Sequence, residues 1–174
     1  MASIVHLAGR FFGSLRPGGP PRTEVDVVRT ELGPAEFEIW SGMSGPDRRH
    51  SVGVAARVRG ILGPDADRSV MAAALLHDSG KVDSGLRTPG RVVATVMAGL
   101  VKHDETTIRR WAVGGGYRRR IGLYLLHPER GAEHLESAGS DPLTVAWTLQ
   151  HHLPRADCTL DQRLADALRV ADND

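Results

Sequence analysis

The chain has a single cysteine and almost no net charge, and both features exclude broad classes of protein. Cys158 is the only cysteine, so no internal disulfide can form, which is typical of a protein in a reducing compartment. The 22 Lys and Arg residues balance 21 Asp and Glu residues, and the net charge of +1 gives no whole-molecule argument for nucleic acid or membrane. We therefore predict no specific nucleic-acid binding.

Long apolar runs and aromatic clusters are also missing. No stretch approaches the ~20 apolar residues that a membrane span requires. Arg10 interrupts the apolar pairs Ile4-Val5 and Phe11-Phe12, and no small-residue cleavage pattern follows them, which argues against a signal peptide. Aromatic residues make up 5% of the chain, so no aromatic-rich pocket for a nucleotide base stands out. We expect a cytoplasmic protein with no membrane partner.

What the chain does contain is a helical period along most of its length. The linker Pro17-Gly18-Gly19-Pro20-Pro21 separates a short N-terminal segment from the rest, and a second breaker lies at residues 41–45. We assign residues 1–43 to an N-terminal extension with this linker and residues 44–174 to one domain. Apolar residues then recur at three- and four-residue steps, and no convincing strand or repeat is found. The pattern predicts an all-α fold, a compact bundle of roughly seven helices.

Helix boundaries can be predicted from capping residues and prolines. Ser44 is a candidate cap for a helix that carries Pro46 in its first turn, and Asp141-Pro142 is a strong helix start. A helix is predicted from about Asp67 to Lys81. Thr159, with a glutamine three residues later, predicts a capping box for the last helix.

Metal-ligand residue types recur on the apolar stripes of these predicted helices. They are His50, His77, Asp78, His127, His151, His152 and Asp172. Imidazole and carboxylate are the ligands that borderline divalent metals prefer. A single histidine on an apolar face is more often an ordinary core residue, and Lys81 could simply neutralise Asp78 as a salt bridge at i+3. The recurrence of the whole set favours a site for two metal ions.

The order of these residues resembles the HD-domain superfamily of metal-dependent phosphohydrolases. His50, the pair His77-Asp78 and Asp172 match its H…HD…D signature. The segments around His127 and around the double histidine at 151–152 are similar to the HD-GYP branch of that superfamily. The resemblance covers residues 44–174 and implies that they form an HD-domain helical bundle.

The resemblance also implies a division of labour among the ligands. Asp78 would bridge two divalent ions, manganese or iron in the first place, with zinc, nickel, cobalt or magnesium as alternatives. One ion would be held with His50, His77 and Asp172, and the other with His127, His151 and, as an additional ligand, His152. A hydroxide shared by the ions would attack a phosphomonoester or phosphodiester, a nucleotide-like small molecule. The predicted catalytic residues are Asp78 and Lys81, the latter stabilising transition-state charge, and the predicted phosphate contacts are Arg87, Arg91 and Arg118.

The chain departs from the HD-GYP pattern at two places. The double histidine is followed by Leu153-Pro154-Arg155, where that branch has an acidic, glycine-rich segment that ends in Gly-Tyr-Pro, so hydrolysis of a cyclic dinucleotide is not expected. Pro46 occupies the position of a glutamate that helps to hold a third metal. Two other functions stay open: a mixed-valent di-iron oxygenase with the same ligands, and a non-enzymatic module that binds a nucleotide.

Overall fold

The computed structural model describes residues 18–173, and within this range the chain forms ten α-helices and no strand. The predicted all-α class is confirmed, but roughly seven helices was too low a number. The helices are α1 Arg22–Glu31, α2 Pro34–Gly42, α3 Gly45–Leu62, α4 Arg68–Leu76, α5 Thr88–Leu100, α6 Glu105–Val113, α7 Gly116–Leu125, α8 His127–Ser137, α9 Pro142–Gln150 and α10 Gln162–Asn173. Short 3₁₀ turns occupy Gly63–Asp65, Ser79–Ser84 and Arg155–Asp157.

Helix starts follow the predicted caps in two cases. The Ser44 hydroxyl accepts a hydrogen bond from the backbone N–H of Asp47, which satisfies one of the free donors at the start of α3. The Asp141 carboxylate does the same for the N–H of Leu143 at the start of α9. These caps are confirmed because the whole interaction lies within three residues of sequence.

The predicted capping box of α10 was wrong. The Asp161 carboxylate accepts hydrogen bonds from the backbone N–H groups of Arg163 and Leu164, so Asp161 caps the helix. Thr159 instead exchanges hydrogen bonds with the side chain of Gln150 at the end of α9. The contact with Gln150 therefore occupies Thr159, which the local pattern had assigned to a helix cap.

The core is built around α4, in which every residue from Val70 to Leu76 is buried. Helices α3 and α9 pack against α4, and α10 packs against α3. Val28 and Leu32 from the region of α1 and Trp40 of α2 belong to the same buried cluster, so the predicted boundary at residue 44 does not separate a second core. Residues 1–17 of the predicted extension lie outside the described range. Among the described helices, none combines the length and apolarity needed to cross a membrane.

A smaller apolar cluster lies beside this core. Leu86, Ala94 and Ile121 form it, and they join α5 to α7. The 3₁₀ turn Ser79–Ser84 connects the two clusters and packs on both α7 and α8. This turn carries Lys81 and follows directly after His77 and Asp78, so its packing places the predicted ligands at the junction of the two clusters.

Candidate metal centre

Three helices meet at one place, and a histidine lies at the C-terminal end of each. His77 follows α4, His151 follows α9, and His127 comes two residues after α7 and begins α8. The last carbonyl groups of an α-helix have no partner within the helix. In each case the Nδ1 atom donates to the carbonyl three residues earlier. The pairs are His77 with Ala74 at 3.0 Å, His127 with Tyr124 at 2.7 Å, and His151 with Thr148 at 2.8 Å.

This repeated contact determines which ring nitrogen is free. A carbonyl oxygen only accepts, so Nδ1 carries a proton, and whenever the ring is neutral its Nε2 atom has a lone pair available to a ligand. The Nε2 atoms of His77, His127 and His151 are buried and have no hydrogen-bond partner. A buried acceptor left unsatisfied costs roughly 1–3 kcal/mol. Metal-binding histidines commonly donate the other N–H to a carbonyl, so these three residues fit the role of ligands.

Asp78 lies between the three free Nε2 atoms. Its Oδ1 atom is 3.4 Å from Nε2 of His127 and 3.8 Å from Nε2 of His151. Its Oδ2 atom is 3.5 Å from Nε2 of His77 and 2.5 Å from Nζ of Lys81. The two oxygens of this buried carboxylate therefore face different histidines, which is the arrangement that a bridging ligand requires.

His50 and Asp172 complete one side of the centre. His50 on α3 and Asp172 on α10 are in contact, with Nε2 and Oδ1 2.9 Å apart. The same Asp172 oxygen is 3.5 Å from Nε2 of His77. His50, His77 and Asp78 each offer one donor atom within 4.8 Å of the others. Within residues 18–173, this group is one of two that could hold a metal ion.

The second group is formed by His127, His151 and His152, again with donor atoms within 4.8 Å of one another. The two adjacent rings at 151 and 152 are packed with centroids 3.9 Å apart, and the ring of His152 is 5.2 Å from that of His127. His151 is buried and His152 is exposed. The two adjacent histidines thus serve the same centre, one from inside and one from its solvent-facing side.

The protonation states of His127, His151 and His152 suit metal binding. Burial lowers the pKa of His127 and lowers that of His151 well below its ordinary value, while loss of water around the inner side of the His152 ring, together with the neighbouring His127, lowers the pKa of His152 to about 4. These rings are neutral near pH 7. Burial also disfavours the charged form of His77, but the carboxylates of Asp78 and Asp172 together outweigh it and raise the pKa of His77.

Both carboxylates are ionised. Burial alone would raise the pKa of Asp78, but the positive charges of Lys81 and His77 hold it well below its ordinary value. Burial has the same effect on Asp172, but its hydrogen bond with His50 and the nearby ring of His77 outweigh it, so its pKa is also well below the ordinary value. Ionised carboxylates and neutral imidazoles are the forms that bind metal ions.

Lys81 forms the salt bridge with Asp78 that was one interpretation of the sequence. The side chains meet because residues three apart face the same side of a 3₁₀ turn. Burial would lower the pKa of Lys81, but the charge of Asp78 raises it, so the ammonium group stays protonated. A single cation is therefore fixed beside the candidate metal ligands.

The three predicted phosphate-binding arginines lie in different environments. Arg91 donates from both terminal nitrogens to the buried Asp47, at 2.5 and 2.7 Å, and from Nε to the carbonyl of Leu86. Burial would lower the pKa of Arg91, but Asp47 raises it, and Asp78 adds a smaller effect of the same sign, which places Arg91 near the centre. Arg87, just before α5, and Arg118, in the first turn of α7, are exposed.

Sequence reasoning missed two glycines that bring the ligands together. A Cβ atom on Gly80 would overlap the carbonyl oxygen of His127 and the backbone nitrogen of Gly131. A Cβ atom on Gly131 would lie 2.8 Å from the Thr148 methyl group. The 3₁₀ turn, α8 and α9 can approach this closely only at glycine. The available signal was that both glycines lie within four residues of a predicted ligand.

Sequence reasoning also missed Asp47. Its charge is buried next to the centre, and its pairing with Arg91 joins the first turn of α3 to the first turn of α5. The signal was the spacing of Asp47 and His50, which are three residues apart and so lie on one face of α3.

Comparison with known proteins adds no relative. No family model, no curated protein and no solved structure matches this chain. The resemblance to HD-domain phosphohydrolases stays a prediction from the residue pattern.

Proposed function

We propose that this protein is a metal-dependent phosphohydrolase that acts on a phosphomonoester or phosphodiester, a nucleotide-like small molecule. The observation that carries the proposal is the convergence of three buried, unpartnered Nε2 atoms on the two oxygens of Asp78. An ordinary polar core would pair these nitrogens, because an unsatisfied buried acceptor is costly. Their common direction indicates that a cation belongs between them.

The donor set divides into two groups, and we propose that each holds one divalent ion. His50, His77, Asp78 and Asp172 would hold the first, and His127, His151 and His152 would hold the second together with the other oxygen of Asp78. Manganese or iron suits this mixture of imidazole and carboxylate. Bound there, the pair of ions would supply Lewis acidity and lower the pKa of a water molecule.

The chain's own residues supply the remaining requirements. The Nδ1 contacts to helix carbonyls orient the three histidine rings before any ligand arrives. Lys81 holds a positive charge beside Asp78 and would stabilise the negative charge that develops on a phosphoryl oxygen. His152, His50 and Asp172 face the solvent side, so a substrate would approach from there.

Arg91 is a weaker candidate for phosphate binding than Lys81, because three of its N–H groups are already used by Asp47 and Leu86. Its role in the proposal is to keep α5 fixed beside the centre. Arg87 and Arg118 are exposed and have side chains long enough to contact outlying parts of a substrate.

Substrate choice is expected to differ from that of the cyclic-dinucleotide enzymes. The segment after the double histidine begins with the exposed Leu153 and continues into the 3₁₀ turn Arg155–Asp157. Arg155 forms an ion pair with Asp166 of α10, which ties this segment to the last helix. We propose weak or absent hydrolysis of cyclic di-GMP together with measurable activity on simple phosphate esters.

The test is a substrate screen on protein reconstituted with manganese or iron, run aerobically and anaerobically. The proposal expects release of phosphate or alcohol from an aryl phosphate or phosphodiester, independent of oxygen, with about two metal ions per chain by elemental analysis. Activity that requires oxygen and an organic substrate would move the protein to the di-iron oxygenase. Binding of a nucleotide with no turnover of any ester would make it a binding module.

A further inference from the structure

Helix α5 presents an apolar surface to solvent. Its buried side consists of Ala94 and Ala98, which face α7. The opposite side carries a group that we call the valine face. It consists of Val92, Val93, Val96 and Leu100, which are 46%, 44%, 57% and 72% exposed. These residues follow the spacing i, i+1, i+4 and i+8, so they form one continuous stripe along the helix.

A stripe of this kind is not an ordinary surface. Single exposed apolar residues are common, but a contiguous group marks a contact site. Helix α5 has no acidic residue, and its only basic residue, Arg91, is turned toward Asp47. Each of these side chains leaves about half or more of its area in water, so a partner that covered all four would remove a substantial apolar area from solvent.

The described chain begins close to this helix. The backbone of Gly18 lies directly against Gly45 in α3, and Gly19 faces the side chain of Arg48. The intervening Asp47 forms the ion pair with Arg91 in the first turn of α5. Residues 1–17 therefore join the described part of the protein at the turn of α3 that contacts α5.

The sequence of this N-terminal segment has the pattern of an amphipathic helix. Its apolar residues are Ile4, Leu7, Ala8, Phe11, Phe12 and Leu15, at steps of three and four. Ser3, His6, Arg10 and Ser14 alternate with them on the other side. A helix over residues 3–15 would be ~20 Å long, the same as the 13-residue α5. Pro17 disfavours helical geometry just before it and would end the helix there.

We propose that residues 3–15 dock on the valine face of α5 as an amphipathic helix and cover it. The two glycines at positions 9 and 13 disfavour a helix in isolation, so the segment would depend on the contact for its helical form. The tether favours an intramolecular occupant, because a short linker gives an effective concentration of the order of millimolar. Only Arg16 and Pro17 separate the proposed helix from Gly18, and they span at most ~10 Å, so the helix would end close to the first turn of α5.

Hydrogen exchange on the full-length chain tests the contact from the side of the segment. The amides of residues 88–100 should exchange at least tenfold faster in Phe11→Asp than in the wild-type protein, because an aspartate cannot enter an apolar interface. The matched control is Ser14→Asp, which adds the same charge on the polar side and should exchange like the wild-type protein. Equal exchange in all three proteins would overturn the proposal.

Limited trypsin digestion tests the same contact from α5. Cleavage after Arg10 should be slow in the wild-type protein and several-fold faster in Val96→Asp. Thr95→Asp, which is exposed and points about 100° away from Val96, is the control and should match the wild-type protein. Unchanged helical circular dichroism shows that the variants remain folded. Equal cleavage in Val96→Asp and Thr95→Asp overturns the proposal.

Two other occupants give different results, and either would overturn the proposal. If a second copy covers the valine face, protection of residues 88–100 will fall on dilution and light scattering will show a dimer that Val96→Asp dissociates. If the segment binds a lipid surface instead, protection of α5 will be independent of Phe11, and the wild-type chain will sediment with vesicles containing a quarter of phosphatidylglycerol while Phe11→Asp will not.

Discussion

At the scale of single residues, Lys81 has two interpretations that one substitution separates. Its ammonium group touches the buried carboxylate of Asp78, so it could serve the structure or the chemistry. If it stabilises transition-state charge, Lys81→Ala will lower kcat by ~10²–10³ at unchanged metal content. Loss of metal or of stability, with normal activity per bound ion, would show a purely structural role. The exposed Lys102 gives the control Lys102→Ala, which should leave all three quantities unchanged.

Replacing His151 should change the stability of the protein in opposite directions with and without metal. Its Nε2 atom is buried without a partner, so the metal-free protein bears a desolvation penalty there. Replacement by leucine removes that atom but also the Nδ1–H hydrogen bond to the Thr148 carbonyl. The penalty of the unsatisfied acceptor, roughly 1–3 kcal/mol, exceeds the ~0.5–1.5 kcal/mol of the hydrogen bond, so we expect the free energy of unfolding in EDTA to rise by about 1 kcal/mol. With manganese present, the same variant should bind fewer ions and be less stable than the wild-type protein. Urea titrations with and without EDTA measure both, and destabilisation in EDTA would contradict the argument.

At the scale of elements, the approach of the 3₁₀ turn to α8 depends on Gly80. A methyl group there would overlap the backbone of His127 and Gly131, which cannot retreat without moving α8. We expect Gly80→Ala to destabilise the protein by about 1–3 kcal/mol and to reduce metal content. The matched control is Gly60→Ala on the exposed side of α3, where nothing lies near the added group. That change should stabilise by ~0.5–1 kcal/mol, as thermal melts will show.

The elements also show which structural features a sequence can predict. The starts of α3 and α9 were correct because a cap and its target N–H are two or three residues apart. The predicted helix from Asp67 to Lys81 ended early, at Leu76, because Gly80 packs against a backbone that is almost 50 residues away in the chain. The only trace of such long-range packing in the sequence is a glycine, and glycine occurs for many other reasons.

At the scale of the whole molecule, acid should weaken the metal-free protein. Burial lowers the pKa of His127, His151 and His152, so between about pH 6.5 and 4 the unfolded chain binds protons that the folded chain does not. Stability therefore rises with pH through this window and is lost as the pH falls. His77 has a raised pKa and acts in the opposite direction, since its contribution is present below about pH 6.5 and is lost above its folded pKa.

Because the pKa is lowered for three histidines and raised for one, we expect a net loss of stability on acidification. The urea midpoint in EDTA should fall from pH 7 to pH 5, and His152→Asn should make that fall smaller. His103→Asn is the control, because His103 is exposed, and it should keep the wild-type slope. A midpoint that stays constant or rises toward pH 5 would contradict the assigned neutral state of the buried rings.

The candidate site also has some features that the sequence predicts and others that depend on the folded structure. The ligand types could be identified from the sequence because histidine and aspartate on apolar stripes are unusual, and the structure brings His50, His77, Asp78 and Asp172 together. The Nδ1 contacts that free the ring nitrogens could not be predicted, because they depend on where each helix ends. The pair Asp47–Arg91 was missed because its partners are 44 residues apart.

The contact between His50 and Asp172 joins residues 122 positions apart. During synthesis the chain leaves the ribosome from its N-terminus, so α3, α4 and the start of α8 emerge before Asp172. A chain from which α10 has not yet emerged can assemble only part of the ligand set, and an ion captured at that stage would lack the carboxylate of Asp172. Full loading would wait for α10, and the metal available when that helix docks, rather than the one first encountered, would decide which ion the folded protein keeps.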